Sequence, residues 1–111
     1  MRLAVFGSRN IIISDIEDYI PEAVSEIVSG GARGIDTCAA EYARLHGIKL
    51  VEIYPEYDLY GRIAPLKRNE KIVSYADEGI AFWDGSSRGT KHTIDLFLKS
   101  GKRITVIIIS K

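Results

Sequence analysis

Three short stretches of this chain each combine glycine, a hydroxyl side chain or amide, and arginine. They are Gly7-Ser8-Arg9-Asn10, Ser29-Gly30-Gly31-Ala32-Arg33-Gly34-Ile35-Asp36 and Asp84-Gly85-Ser86-Ser87-Arg88-Gly89-Thr90. Residues of these types suit an anion. Glycine lets backbone N–H groups approach a ligand closely, and a helix N-terminus adds partial positive charge. Arginine adds bidentate recognition of phosphate. Plainer roles stand beside these. Gly30 and Gly31 suit a tight turn, Arg9, Arg33 and Arg88 suit solvated loops, and Thr90 suits a helix N-cap. Asp36 in a first helical turn favours the helix dipole, and it is also placed to bond a ribose or to orient an arginine.

What makes the three stretches count together is the order of elements around them. Arg2 to Phe6 reads as a first strand, Glu26 to Ser29 as a second and Ile48 to Tyr54 as a third. Gly79 to Trp83 reads as a fourth strand. Ile104 to Ile109, six β-branched residues without a break, reads as a fifth, covered on both faces. Between them, a short helix is expected over Ile16, Tyr19 and Ile20, capped by Ser14 or Asp15 and ended by Pro21. Helical spacing of Ile35, Cys38, Ala39, Tyr42 and Leu45 predicts a helix from Gly34 to His46, with Gly47 past its end. Glu56 to Ala64 reads as a tyrosine-bearing loop. A helix is expected from Pro65 to about Ala76, and another from about Thr90 to Ser100. Strands alternating with helices predict an α/β fold, a three-layer Rossmann-like sandwich with a five-stranded parallel sheet in the order 3-2-1-4-5. In that order the three glycine-bearing stretches follow strands one, two and four and share one rim, beside the point where the winding reverses.

Composition excludes several classes. The 111 residues suit one domain, with 46% hydrophobic and 27% charged residues, neither disordered by composition nor membrane-spanning. Met1 to Gly7 runs straight into a strand-like segment with no signal-peptide layout, so a cytoplasmic protein is expected. Cys38 is the single cysteine, which leaves no internal disulfide and no cysteine-based zinc site; no metal and no resident cofactor are expected. Fifteen basic residues balance fifteen acidic ones. A chain that held nucleic acid mainly through phosphate neutralisation would be clearly basic, so that partner is disfavoured. Cys38 suits a small core position, His46 a helix end, and His92 the turn after the third glycine stretch. Tyr57, Tyr60 and Trp83 are candidates for stacking on a base, with plain packing as the alternative.

Taken in order along the chain, these residues resemble the SLOG superfamily of Rossmann-like nucleotide-binding proteins. Gly7-Ser8-Arg9 is similar to its first-strand motif, and Ser29 to Asp36 to its Ser-Gly-Gly-Ala-x-Gly-x-Asp signature. Arg68-Asn69 matches an Arg-Asn pair on the third helix, and Arg88-Gly89-Thr90 the Gly-Thr motif. Tyr60-Gly61-Arg62 with Pro65 to Asn69 looks most like the YspA-type branch. The resemblance implies a pocket for a nucleotide-derived ligand. It also implies divergent uses. LOG-type phosphoribohydrolases cut the base from a nucleoside monophosphate with a glutamate in Gly-Thr-x-Glu; here His92 stands at that place. Cleavage of a glycosidic bond needs a carboxylate, for which Asp36, Asp84 or Glu70 would have to substitute. The DNA-processing protein A branch, similar in several of the same motifs, binds single-stranded DNA. Other SLOG domains are proposed to bind nucleotide-derived signals in bacterial and phage conflict systems.

The expectation is therefore a binder of a phosphate-bearing, nucleotide-derived small molecule, ADP-ribose-like or a cyclic nucleotide, acting as a sensor or sequestering sponge without turnover. Backbone amides around Gly7-Ser8, Gly30-Gly31 and Gly85-Gly89-Thr90 would hold phosphate. Arg9, Arg33, Arg68 and Arg88 would supply charge, with Gly34, Asp36, Asn69, Asp84 and Ser86 completing the site. A nucleoside-phosphate glycosidase is the alternative, and single-stranded DNA binding ranks below it. The apolar positions Ile94, Phe97 and Leu98 suit either a homo-oligomeric contact or the chain's own sheet.

Overall fold

Period-two alternation in the first strand sends Leu3 and Val5 to one face and Ala4 and Phe6 to the other, and both sets are buried. A strand buried on both faces belongs in the middle of a parallel sheet. The structure, a computed structural model that describes residues 1–110, places it there. β1 (Arg2–Gly7), β2 (Glu26–Ser29), β3 (Lys49–Glu52), β4 (Glu78–Trp83) and β5 (Ile104–Ile108) pair in parallel in the order β3-β2-β1-β4-β5. β1 pairs with β2 through Leu3 opposite Ile27, and with β4 through Val5 opposite Ile80. The helices are α1 (Ile35–Leu45), a single turn α2 (Tyr57–Tyr60), α3 (Ala64–Tyr75) and α4 (Arg88–Ser100). The result is the expected α/β, three-layer Rossmann-like sandwich.

Two apolar layers hold it. One joins Leu3, Val5, Ile27, Ile80 and Phe82 to Ile35, Ala39 and Ala43 of α1. The other joins Ala4, Phe6, Val28 and Ala81 to Ile72 and Val73 of α3 and to Ile94 and Phe97 of α4. Phe6 and Phe97 stack with ring centres 5.9 Å apart. Ile94 and Phe97 thus bury against the chain's own sheet, while Leu98 stays exposed. Among the described residues no helix is long and apolar enough to cross a membrane.

Four local expectations are corrected. In place of a helix over Ile16 to Ile20 there is one 3₁₀ turn, Ile16–Asp18, and the Asp15 side chain caps nothing. So few residues before Pro21 cannot nucleate a helix, and Ile11, Ile16, Ile20 and Val24 instead plug into the first apolar layer. The third connection is not plain loop, since α2 and a 3₁₀ turn over Gly61–Ile63 lead into α3. α4 begins at Arg88, which draws Arg88 and Gly89 out of the turn and into the helix. β5 is not covered on both faces. It lies at the end of the sheet, with Val106 and Ile108 exposed, because an apolar run reports strand propensity while position in the sheet decides burial.

Candidate functional site

The carboxyl ends of β1, β2 and β4 and the first turns of α3 surround one cavity of about 470 Å³, within the range of small-molecule sites. Of the residues singled out from sequence, Gly7, Ser8, Arg9, Gly30, Asp36, Arg68, Asn69, Asp84, Gly89 and Thr90 line it. The local reason in each case is different.

Ser8 is a staple. Its N–H donates to the Phe82 carbonyl at 3.0 Å, and its Oγ accepts the Asp84 N–H at 3.2 Å, so the loops after β1 and β4 are tied together beneath the cavity. The glycines of the second stretch give room to side chains and backbone rather than opening a nest of free amides. A Cβ on Gly30 would overlap the Arg68 guanidinium, one on Gly31 the Tyr54 ring, and one on Gly34 the Arg9 backbone. The Gly31 N–H donates to Ser29 Oγ at 3.2 Å and the Ala32 N–H to Asp36 Oδ2 at 3.1 Å. Those amides are spent within the loop.

Arg68 enters the space above Gly30. One terminal nitrogen donates to the Gly30 carbonyl at 2.9 Å, and Nε donates to Asn69 Oδ1 at 2.9 Å. The Asn69 amide nitrogen then faces His92 Nδ1 at 3.2 Å, which makes that ring nitrogen the acceptor. His92 is thereby held by α3 beside the cavity and does not line it. Burial pulls the Arg68 guanidinium below its usual value, the Asp36 charge opposes this, and the Arg9 charge adds to it.

Asp36, 7% exposed, is the most constrained group. Oδ2 accepts from Ala32, while Oδ1 is buried and has no partner among the described residues. Burial raises its carboxyl above the ordinary value of 3.8, against the lowering effect of the Ala32 amide, of Arg68 and of the Gly30 amide beside it. Asp84 is the opposite case. Its Oδ1 accepts the Ser86 N–H at 2.9 Å and the Ser87 N–H at 2.8 Å, and these two backbone bonds lower its carboxyl below the ordinary value. Asp84 therefore shapes the turn as an anion, with Ser86 inside that turn and off the cavity wall.

Across the cavity, α4 starts without a side-chain cap. Ser87 is the N-cap residue, but its hydroxyl lies 3.3 Å from Thr90 Oγ1 and takes none of the helix amides. The Lys91 N–H makes the first bond, to the Ser87 carbonyl, which leaves the N–H groups of Gly89 and Thr90 open at the helix end. A Cβ on Gly89 would meet nothing, so empty space lies directly beside this backbone.

Other candidates lie elsewhere. Arg33 and Arg88 are exposed and off the cavity wall; half-buried Gly31, buried Gly34 and exposed Gly85 are off it as well. Trp83 donates its indole N–H to the Ser87 carbonyl at 3.0 Å and so braces the β4 turn. Tyr57 is exposed on α2, and Tyr60 lies under Lys71 Nζ in a separate groove with Arg2 and Tyr75. Glu70 pairs with Lys67 at 3.8 Å in that same groove, away from the cavity. None of the three aromatic rings reaches the site. Its apolar wall consists of Phe6, Pro65, Leu66 and Ile72, with Asn10, Ala32, Ser87 and Thr93 completing the rim. The alternation of β1 could have assigned Phe6. Leu66 and Ile72 needed the path of the third connection, which periodicity does not supply.

No family model, no curated protein and no solved structure matches this chain.

Proposed function

We propose that this chain is a SLOG-type domain that binds a phosphate-bearing ribonucleotide derivative, of the ADP-ribose or cyclic nucleotide kind, in a sensing or sequestering role. The observation that carries this reading is the uncapped start of α4, where Gly89 and Thr90, with open N–H groups, line the cavity together with Arg9 and Arg68. Asp36 lines the same wall, and its charge beside Arg68 would hold that guanidinium in place for the ligand. The uncapped start of α4 and the Arg9 guanidinium would take phosphate, and the wall of Phe6, Leu66 and Ile72 would take the base by apolar contact. A formal net charge of zero and a cavity of limited volume favour a small anion over a polynucleotide.

A second reading, hydrolysis of a nucleoside phosphate at its glycosidic bond, is favoured by one observation. Asp36 and Asp84 line the same cavity with carboxyl pKa values driven in opposite directions, the arrangement that separates a proton donor from an anion. One experiment tests both. Thermal unfolding is followed with AMP, ADP-ribose, cyclic ADP-ribose, NAD and cyclic dinucleotides, and each ligand is then examined by mass spectrometry. A ligand at ~100 times its dissociation constant adds about 2.7 kcal/mol of stability. A raised midpoint with intact ligand supports binding, a ligand returned as free base and sugar phosphate supports hydrolysis, and no shift with any of them overturns both.

A further inference from the structure

The two edges of the sheet differ sharply. At one, β3 is four residues long and carries Lys49 and Glu52 at its ends, the charged, short design that keeps an edge from pairing. At the other, β5 is flanked by Arg103, and Ile104 to Ser110 contain no ionisable side chain, proline or glycine. The Ile109 N–H donates to Trp83 and the Arg103 carbonyl accepts from Gly79, both towards β4. Alternation along the strand therefore turns the N–H and C=O groups of Ile104, Val106 and Ile108 outward, to the open edge. The side chains of these same residues share the sheet face that α4 covers, where Ile104 packs with Phe97.

α4 leaves part of that face bare. His92 touches Asn69 and Leu96 packs into the apolar layer, which marks one flank of α4 as facing α3. Leu98 is roughly 200° round the helix from Leu96, on the opposite flank, over β5. Leu98 is 64% exposed, Val106 38% and Ile108 58%. An apolar stripe thus runs directly along a strand edge that is unpaired among the described residues.

We propose that this edge is a two-fold interface with a second copy of this chain, in which β5 pairs antiparallel with its symmetry mate about Val106. The occupant follows from self-complementarity. Antiparallel pairing about Val106 sets Val106 opposite Val106 and Ile104 opposite Ile108, so the three outward-facing residues of each copy exchange their bonds with one another. Charge selects the direction. Parallel pairing would set the two Arg103 side chains side by side. The antiparallel arrangement places each opposite Ile109, with the two arginines roughly 20 Å apart at ~3.3 Å per residue, beyond the screening length of about 8 Å. Leu98, Val106 and Ile108 of both copies then cover one another. The ten-stranded sheet so formed leaves both ligand cavities, at the carboxyl ends of β1, β2 and β4, open at its rim.

The test is sedimentation velocity with hydrogen exchange on the whole chain over a range of concentration. The expected result is twice the 12.3 kDa chain mass, with slowed exchange at the Val106 and Ile108 amides that appears together with the dimer. Val106→Lys places two lysines face to face at the axis, and Ile108→Lys charges an exposed position. Each should return the mass to 12.3 kDa with unchanged circular dichroism. A monomer at every concentration overturns the proposal and leaves the edge to a different chain. A dimer that keeps its mass in both variants, or that leaves the β5 amides exchanging freely, also overturns it.

Discussion

At Gly30 the missing side chain is filled by another residue. A methyl group there would overlap the Arg68 guanidinium and approach Asp36 Oδ2 to 3.2 Å, so Gly30→Ala should expel Arg68 and free its bonds to the Gly30 carbonyl and Asn69. Ligand affinity, read by calorimetry, should fall at least about tenfold, as expected for loss of one charge-assisted bond. Asp36→Asn separates binding from folding. The asparagine oxygen can still accept from Ala32, but the charge that holds Arg68 on the cavity wall is gone. Affinity for the ligand identified by thermal shift should fall by roughly 10- to 100-fold, while the midpoint without ligand holds or rises, because the burial cost of a carboxylate is gone. A variant that loses its fold instead would make Asp36 a structural residue with no separate part in binding. Arg68→Ala should weaken binding as Asp36→Asn does. Arg33→Ala, at an exposed position off the cavity wall, should leave it nearly unchanged.

The start of α4 carries two demands that conflict. A glycine inside a helix costs about 0.5–1 kcal/mol relative to alanine, and nothing in the folded chain needs the space beside Gly89. Gly89→Ala should therefore stabilise the free protein by about that amount in urea unfolding and lower its affinity for phosphate-bearing ligands. An unchanged affinity would place the phosphate elsewhere. At the start of α1 the opposite holds. Gly34 has φ 77° and ψ −124°, and its missing Cβ lies 2.5 Å from the Arg9 carbonyl oxygen. Gly34→Ala should cost about 1–3 kcal/mol of stability, with the β1 loop displaced. Both glycines sit in similar sequence settings, just before or within a helical run. Only the neighbours brought by the fold distinguish the one that prevents a clash from the one that leaves an opening.

Across the whole molecule, acid stability is set by carboxylates with opposite shifts. Asp77 is lowered by the Arg2 N–H it accepts, and Asp84 by the Ser86 and Ser87 amides. These two contribute stability above their unfolded value of 3.8 and lose it as the pH falls through their lower folded values. Asp36 works the other way. With its folded value raised above 3.8, the native state holds a proton that the unfolded chain has released, so stability declines as the pH rises from 3.8 through that raised value. Urea midpoints measured over the acid range should show Asp36→Asn without this decline and Asp77→Asn with a weaker loss at the lowest pH. Identical profiles for all three proteins would remove the assigned shifts.

The amino-acid sequence by itself determines the layering and the rim of this protein. The apolar run over Leu3 to Phe6, helical spacing over Ile35 to Leu45 and the glycine punctuation between them are local properties, and the right-handed crossover rule leaves them few strand orders, among them the one observed. That was enough to bring Ser8, Gly30, Asp36 and Thr90 to a single cavity wall. Tertiary structure alone decided which groups remain free there. Whether the amides of Gly31 and Ala32 are open depends on Ser29 and Asp36 folding back on them, and whether Trp83 faces a ligand depends on the Ser87 carbonyl that it braces. The same holds for β5, where Ile104 to Ile109 read alike from end to end. Partial burial falls on Ile104, Ile107 and Ile109 and spares Val106 and Ile108, because coverage depends on what packs across from a residue, and an edge strand has a neighbour on one side only.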